Sequence, residues 1–377
     1  MTQIISGIGS FNTFRKLEKL YSGKTILLVT GKNSYTNCGA EMILNDALKN
    51  ENVHRFFDFD INPKIEDAQK GVLLAKKAGV NLIIAVGGGS VIDMAKLIKA
   101  FYLSPNLSNA LAKGEVPVSD PKIPLIVAPT TAGSGSESTH FAVVYIGQEK
   151  YSLASKILLP EIVILDGKLI ATGSSYQKSC NGLDALSQAI ESSWAVGSTE
   201  ISRKFSYEAV RLCYKYIKEF IKDDADENSL QRMLDGANLA GQAINISKTT
   251  AAHAWSYGIT SKYGLPHGHA VWLTLPAIFQ IHASANQHNT SDPRGAEHLN
   301  NIMLKLMKLL SIKDLNQARF ELSEFLTNIN VESDMINLGL TTKNERYTLS
   351  QNVNMQRMSN NPVALNSNDV NNIFKLS

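Results

Sequence analysis

Two patterns of apolar residues divide this chain. From Lys24 to about Asp166, short β-branched apolar runs alternate with helix-like stretches. TILLVTG (Thr25–Gly31), HRFFDF (His54–Phe59), NLIIAVGG (Asn81–Gly88), PLIVAPT (Pro124–Thr130) and EIVILD (Glu161–Asp166) predict strands. Thr36–Asn50, Ile65–Lys77 and Val91–Phe101 predict helices between them. Such alternation, with near-continuous apolar strands, implies a parallel sheet covered on both faces. Past Asp166 the strand pattern stops. Helical periodicity follows in Gly182–Ala195, Thr199–Asp223, Ser229–Asn245, Trp272–Ala283, Glu297–Leu309 and Leu315–Asn328. The expected architecture is an α/β domain over residues 1–170 and an all-α domain over 171–377, with Gly-Ser-Ser interrupting the pattern in Gly167–Ser175.

Composition narrows the classes. A chain of 377 residues exceeds one compact core. Its 37 basic and 34 acidic residues nearly balance, without long runs of either sign. A nucleic-acid or membrane footprint is not indicated. Cys38, Cys180 and Cys213 are scattered, with no CxxC spacing, which fits a reducing compartment. No apolar run is long enough to span a bilayer, and the opening MTQIISGIGSFNTFRKL lacks the regions of a signal peptide. The expected location is the cytoplasm.

Two loops carry the chemistry of the first half. Gly87-Gly88-Gly89-Ser90 links a buried strand to the helix VIDMAK. Glycines let the backbone approach a ligand, and the free N–H groups of the helix start favour a pyrophosphate. Asp93 and Lys96 face the same way on that helix. The bland alternative is a tight turn with an exposed ion pair. The second loop, PTTAGSGSEST (Pro129–Thr139), offers hydrogen bonds from Thr130, Thr131 and Ser134. Two such loops at consecutive strand ends point to a dinucleotide site.

In the second half, AAHAWSYGITSKYGLPHGHA (Ala251–Ala270) places His253 on a helix and His267 just past a Gly-Leu-Pro loop, with Tyr257 one turn after His253. Imidazole is the commonest side-chain metal ligand. In NGLDALSQAIESSWA, Asp184 and Gln188 are four apart and share one helical face.

In order and spacing, GGGSVIDMAK, PTTAGSGSE, NGLDALSQAIE and HAWSYGITSKYGLPHGHA resemble the iron-containing (group III) alcohol dehydrogenases, over nearly the whole chain. The resemblance implies an N-terminal Rossmann-like domain, a C-terminal helical domain, and a metal in the cleft between them, facing the nicotinamide. It puts Gly87, Gly88, Gly89 and Ser90 on the pyrophosphate loop with Asp93 beside it. Thr130, Thr131 and Ser134 fall on coenzyme contacts, and Lys150 on a lysine that reaches the nicotinamide ribose. Gly31 stands where many NAD-preferring members carry an acid. Losing that carboxylate removes repulsion against a 2′-phosphate, which Lys32 could pair, and this favours NADP(H) over NAD(H).

The same resemblance places Asp184, His253 and His267 on three of four metal ligands. The fourth, a His in the family, is Gln188 here, and Tyr257 stands where many relatives carry a further, non-ligating His near the substrate. Two His and a carboxylate still bind Fe(II) or Zn(II) with open positions, and Gln188 could add a weaker amide oxygen. The opposite reading is a site that has lost its metal.

The runs DALSQAIESSWAVGSTE, INISKTTAAHAWSYGITSKYGLPHGHA and NNPVALNSNDV further resemble the phosphonoacetaldehyde reductase branch, also called hydroxyethylphosphonate dehydrogenases. The implied reaction is NAD(P)H-dependent, metal-assisted reduction of phosphonoacetaldehyde to 2-hydroxyethylphosphonate, with the metal as Lewis acid. Lys248 and Arg357 are candidates for clamping the anionic head. No mapped side chain is an obvious proton donor to the alkoxide; a water chain by way of His269 or Tyr257 is the candidate route, while His140 and His269 each read as structural before catalytic. A homodimer or larger homo-oligomer is expected. Three alternatives stay open: a reductase of neutral short-chain aldehydes or ketones, a lyase like the dehydroquinate synthases, and a metal-deficient nucleotide-binding relative.

Overall fold

The apolar runs of the first half form parallel strands in a computed structural model that describes residues 2–376. They are β1 (Gln3–Ser6), β2 (Thr25–Thr30), β3 (Asn52–Phe56), β4 (Leu82–Gly87), β5 (Leu125–Pro129) and, after the antiparallel hairpin β6 (Phe141–Ile146) and β7 (Glu149–Ala154), β8 (Ile162–Leu165). The sheet order is β1-β8-β5-β4-β2-β3, with every pairing parallel. The strands β4, β5 and β8 are buried throughout, as a sheet covered on both faces requires. The edge strand β1 is mostly exposed and the edge strand β3 half-buried. That is why β1 left no apolar run to read.

The helices of this half are α1 (Glu18–Tyr21), α2 (Ser34–Asn37), α3 (Ala40–Ala47), α4 (Ile65–Ala78), α5 (Gly89–Phe101) and α6 (Ser108–Lys113). One core layer gathers Phe11, Phe14, Ile26, Leu28, Ile84, Ile126 and Ile164. The helix expected over Thr36–Asn50 is broken into α2 and α3 by Gly39, which takes the left-handed conformation (φ 80°).

The second half is helical: α7 (Ser175–Trp194), α8 (Glu200–Phe220), α9 (Glu227–Ser247), α10 (Ala251–Tyr263), α11 (His267–Trp272), α12 (Leu275–Ala283), α13 (Gly295–Leu309), α14 (Ala318–Thr327), α15 (Lys343–Gln351), α16 (Met355–Met358) and α17 (Ser367–Ile373). The helix expected over Trp272–Ala283 restarts at Leu275, with a proline in its first turn.

The chain divides into two units. The first runs to Gly173 and takes in Ala225–Asn238; the second comprises Ser174–Asp224 and the described residues from Leu239 on. The second unit is therefore not continuous in sequence, because α9 begins in the first unit and ends in the second. Among the described residues no helix is long and apolar enough to cross a membrane.

Candidate active site

In the first unit the strand order reverses between β2 and β4, since β3 lies outside β2 on one side and β4, β5, β8 and β1 lie on the other. Ligands of open parallel sheets bind at the carboxyl ends of the strands beside such a reversal. Gly31 follows β2, Gly88 follows β4 and Thr130 follows β5. The Thr130 N–H donates to the Gly87 carbonyl at 3.0 Å, tying the last two strand ends together. A Cβ on Gly88 would stand 3.2 Å from Thr131 Oγ1, and one on Gly89 would stand 2.5 Å from Ser134 Oγ. The two loops interlock, and glycine is what fits. The helix α5 opens at Gly89 with no side-chain cap, so its first amides stay available to an anion. These residues fit a pyrophosphate.

Asp93 and Lys96 have a different task from the one expected. The Lys96 ammonium is fully buried and donates to the carbonyls of Ser136, Thr139 (2.7 Å) and Phe141 (2.9 Å). Burial lowers its pKa to about 8, against the pull of Asp93 and Glu137. Asp93 accepts from the Ser136 hydroxyl and from Val143 N–H at 3.0 Å. Neither is half of an exposed pair. Both pin the second loop to α5. Lys150, on β7 opposite Tyr145, is close enough for its charge to act on the Asp93 carboxyl.

At the end of β2, a Cβ on Gly31 would stand 2.2 Å from Ser34 Oγ, so an acidic side chain there would have to displace Ser34. Lys32 beside it is exposed. Arg55, which the sequence did not single out, reaches this corner from β3. Its guanidinium donates to Thr30 Oγ1 (2.9 Å) and to the Gly31 carbonyl (3.2 Å), and lies over the rings of Tyr35 and Phe57. Glu41 Oε1 stands 3.6 Å from its Nη1.

The second unit carries its own cluster of polar side chains. Ser174 caps α7 by accepting from Gln177 N–H, and the long helix then carries Asp184, Gln188 and Glu191 at i, i+4 and i+7 on one buried face. The helix α10 carries His253 near its start and ends at Gly264 in the left-handed conformation (φ 68°). Pro266 then leads into α11, whose first residue is His267. A Cβ on Gly268 would fall 2.0 Å from the Cys180 carbonyl and 2.6 Å from Asp184 N, so α11 packs on the bare backbone of α7. That contact carries His267 to Asp184.

Asp184 Oδ1 lies 3.6 Å from His253 Nε2 and 4.0 Å from His267 Nε2, and one ligand atom from each residue lies within 4.8 Å of the others. Asp184 Oδ1, His253 Nε2 and Gln188 Oε1 are buried without a hydrogen-bond partner. Each such atom costs about 1–3 kcal/mol. Ligands about 2.1 Å from a common tetrahedral ion stand about 3.4 Å apart, so the set fits a divalent metal. Gln188 Oε1, one helical turn beyond Asp184, is likewise buried without a partner. Burial opposes ionisation of Asp184, but His253 and His267, helped by the Gln188 side chain, outweigh it and hold the carboxyl below the usual range.

Glu191 was missed in the sequence. Its carboxylate is fully buried and accepts from the Thr250 hydroxyl (2.8 Å), from Ala252 N–H (2.9 Å) and from His253 Nδ1. Burial opposes a charge on His253, yet Glu191 and Asp184 outweigh it and lift its pKa to about 9. The signal was present: Glu191 completes the helical face of Asp184 and Gln188.

Of the remaining candidates, Tyr257 stacks on His267 with ring centroids 5.7 Å apart and planes 11° from parallel. His269 is a structural pin. Its Nε2–H donates to the Glu332 carbonyl (2.7 Å), so its Nδ1 accepts from the Tyr176 hydroxyl (2.8 Å). A chain ending on a carbonyl relays no proton onward. His140 packs on Phe141. Lys248 sits in the left-handed region (φ 62°), between Ser247 and Thr249, whose carbonyls accept from Asn360 Nδ2 at 2.8 and 2.9 Å. Asn360 N–H in turn donates to the carbonyl of Arg357, on the helix α16 that packs against α10. One knot therefore holds Lys248 and Arg357 beside the His253 helix.

The profile described as iron-containing alcohol dehydrogenase matches residues 1–167, and the profile of the C-terminal part of the Fe-containing alcohol dehydrogenase family matches residues 179–377. The chain belongs to the iron-containing alcohol dehydrogenase family. This family member is 30% identical over 235 residues to a phosphonoacetaldehyde reductase of Streptomyces viridochromogenes, across 59% of this chain and 58% of that protein. To an alcohol dehydrogenase of Thermococcus barophilus it is 29% identical over 289 residues, across 74% of each. The first match, like that to the probable alcohol dehydrogenase EutG of Escherichia coli (56%), spans little more than half of the relative's length. Among solved structures, sulfoacetaldehyde reductase from Bifidobacterium kashiwanohense in complex with NAD+ has the same fold, with a TM-score of 0.87 at 24% identity over 99% of this chain and 96% of that one.

Proposed function

We propose that this member of the iron-containing alcohol dehydrogenase family is an NAD(P)H-dependent, metal-assisted aldehyde reductase, reversible as an alcohol dehydrogenase. Its substrate in this reading is a two-carbon aldehyde with an anionic head, phosphonoacetaldehyde before others. The observation that carries the reading is the convergence of Asp184 Oδ1 and His253 Nε2, both buried and unpartnered, with His267 Nε2.

Asp184, His253 and His267 hold Fe(II) or Zn(II), and the bound ion supplies a Lewis acid for the carbonyl oxygen. A reduced nicotinamide supplies the hydride. One carboxylate and two neutral imidazoles leave the centre net positive, which suits a carbonyl oxygen gaining charge. Gln188, whose Oε1 is buried without a partner, adds at most a neutral amide oxygen in place of an imidazole. Tyr257, stacked on His267, is the candidate for the proton route.

Lys248 and Arg357 clamp the anionic head. No ion pair to either is present among the described residues, and the knot at Asn360 holds the backbone on both sides of Lys248 and at Arg357. Two relatives are named for aldehydes of this chemistry, one a phosphonate and one a sulfonate. For the coenzyme, Gly31 with Lys32 and Arg55 favours NADP(H): no acid stands directly after β2, and the exposed Lys32 and Arg55, the latter only loosely paired with Glu41 at 3.6 Å, are the cations a 2′-phosphate would meet.

The test is oxidation of NADPH and of NADH by the protein loaded with Fe(II) or Zn(II), on phosphonoacetaldehyde, sulfoacetaldehyde and butyraldehyde. The expected kcat/KM on phosphonoacetaldehyde exceeds that on butyraldehyde by about tenfold or more. Preference for butyraldehyde would establish a neutral-aldehyde reductase, and no turnover with either coenzyme would sink the reductase reading.

A further inference from the structure

We propose that Glu191 is a positioning residue for the metal centre. It holds His253 in the tautomer that carries its proton on Nδ1, and so aims the lone pair of Nε2 at the point shared with Asp184 and His267. The proposal rests on the reading that these three residues bind a divalent metal.

The argument is a count of donors and acceptors. The Trp194 indole N–H can only donate, and it donates to Thr250 Oγ1 at 3.0 Å. The Thr250 hydroxyl then spends its own hydrogen on Glu191 Oε1 at 2.8 Å. The Ala252 N–H reaches the same oxygen at 2.9 Å, and His253 N–H approaches it at 3.4 Å. With Oε1 engaged by donors, the remaining oxygen, Oε2, meets His253 Nδ1. A carboxylate that receives several N–H and O–H groups keeps its charge, so Nδ1 must be the donor. In the neutral ring Nε2 is then the bare nitrogen, and it is buried without another partner, 3.6 Å from Asp184 Oδ1. A second carboxylate behind a ligating imidazole orients the ring and raises its basicity. In a site where Gln188 replaces an imidazole, that support bears directly on how tightly the metal is held.

Glu191→Gln separates this role from simple packing. The amide keeps the shape of the side chain, and the donors Thr250 and Ala252 fix its oxygen at the Oε1 position. Its NH2 must then face Nδ1, turning that nitrogen into an acceptor and moving the ring proton to Nε2. The expected result is metal affinity about 10- to 100-fold weaker by chelator competition, with the melting temperature of the metal-free protein near that of wild type. Glu191→Asp, which restores an ionised acceptor, should recover part of the affinity. The 15N shifts of His253 in metal-free protein, at a pH where the ring is neutral, should report the Nδ1–H tautomer in wild type and the Nε2–H tautomer in Glu191→Gln. Unchanged affinity in Glu191→Gln, or an Nε2–H tautomer in wild type, overturns the proposal. A wild-type protein that takes up neither Fe(II) nor Zn(II) overturns the metal reading and the affinity effect, while the same 15N shifts still decide the tautomer.

Discussion

Asp184 Oδ1 lies 3.6 Å from His253 Nε2, beyond hydrogen-bond reach, and neither atom has another partner. That spacing suits an ion between the two rather than a proton. It makes residue 188, one helical turn beyond Asp184, the test of the ligand set. Gln188→His places an imidazole where the amide now stands, and metal affinity should rise about tenfold or more. Metal titration against a competing chelator checks this. An unchanged affinity would mean that position 188 does not face the ion.

Gly268 makes a second, steric prediction. A methyl group there would stand 2.0 Å from the Cys180 carbonyl and 2.6 Å from Asp184 N, both backbone atoms of α7 that cannot swing aside. Gly268→Ala must push α11 off α7 and carry His267 away from Asp184. Overpacking of this kind costs about 1–3 kcal/mol. Urea unfolding should show that loss, and metal content should fall with it. A variant with a wild-type midpoint and full metal content would contradict the close helix contact.

Much of this arrangement could be read from the sequence because its signals are local. The Asp184–Gln188 interval fixes a helical face, and Gly264 and Pro266 bracket the turn that delivers His267. The buried strands β4, β5 and β8 announce themselves as apolar runs. What escaped notice depends on tertiary contacts. Glu191 on a helix reads as a surface charge until α10 brings Thr250, Ala252 and His253 to it. Lys96 reads as half of an exposed pair until the β5–β6 loop folds its carbonyls over the ammonium. His269, two residues after His267, shows its partners only when Glu332 and Tyr176 arrive from distant segments.

The coenzyme corner yields a third prediction. Arg55 lies over two aromatic rings and is neutralised only loosely, with Glu41 at 3.6 Å. If it faces a 2′-phosphate, Arg55→Leu should raise KM for NADPH about tenfold and leave KM for NADH nearly unchanged. Both constants are measured with one aldehyde. Equal effects on the two coenzymes would reduce Arg55 to its hydrogen bonds with Thr30 and Gly31.

Lys248 combines strain with charge. Its left-handed backbone (φ 62°) costs a side-chain-bearing residue about 1–2 kcal/mol, which glycine escapes. Lys248→Gly should therefore leave the melting temperature equal to or above wild type while removing the ammonium. If that ammonium clamps an anionic head, KM for phosphonoacetaldehyde should rise about tenfold with butyraldehyde kinetics unchanged. A more stable variant with unaltered phosphonoacetaldehyde kinetics would leave the strain without this purpose.

His282 gives the protein an acid-sensitive element away from the ligands. Its ring is fully buried beside Trp194, 4.5 Å between centroids, and neither ring nitrogen has a hydrogen-bond partner. Burial depresses its pKa to about 3, with Glu191 and Asn361 pulling weakly the other way. The unfolded chain binds this proton with a pKa near 6.5, so between about pH 6.5 and 3 the unfolded state holds more protons than the native one. The stabilisation is complete above pH 6.5 and is lost as pH falls, by up to about 1.4 kcal/mol per unit. His282→Leu removes the titrating imidazole and leaves every carboxylate in place. The wild-type advantage in urea unfolding, or deficit if leucine packs better, should therefore shift against wild type by about 1 kcal/mol or more between pH 6.5 and 5. A difference that stays constant across that range would mean that His282 keeps an ordinary pKa, and that the pair with Trp194 is open to water.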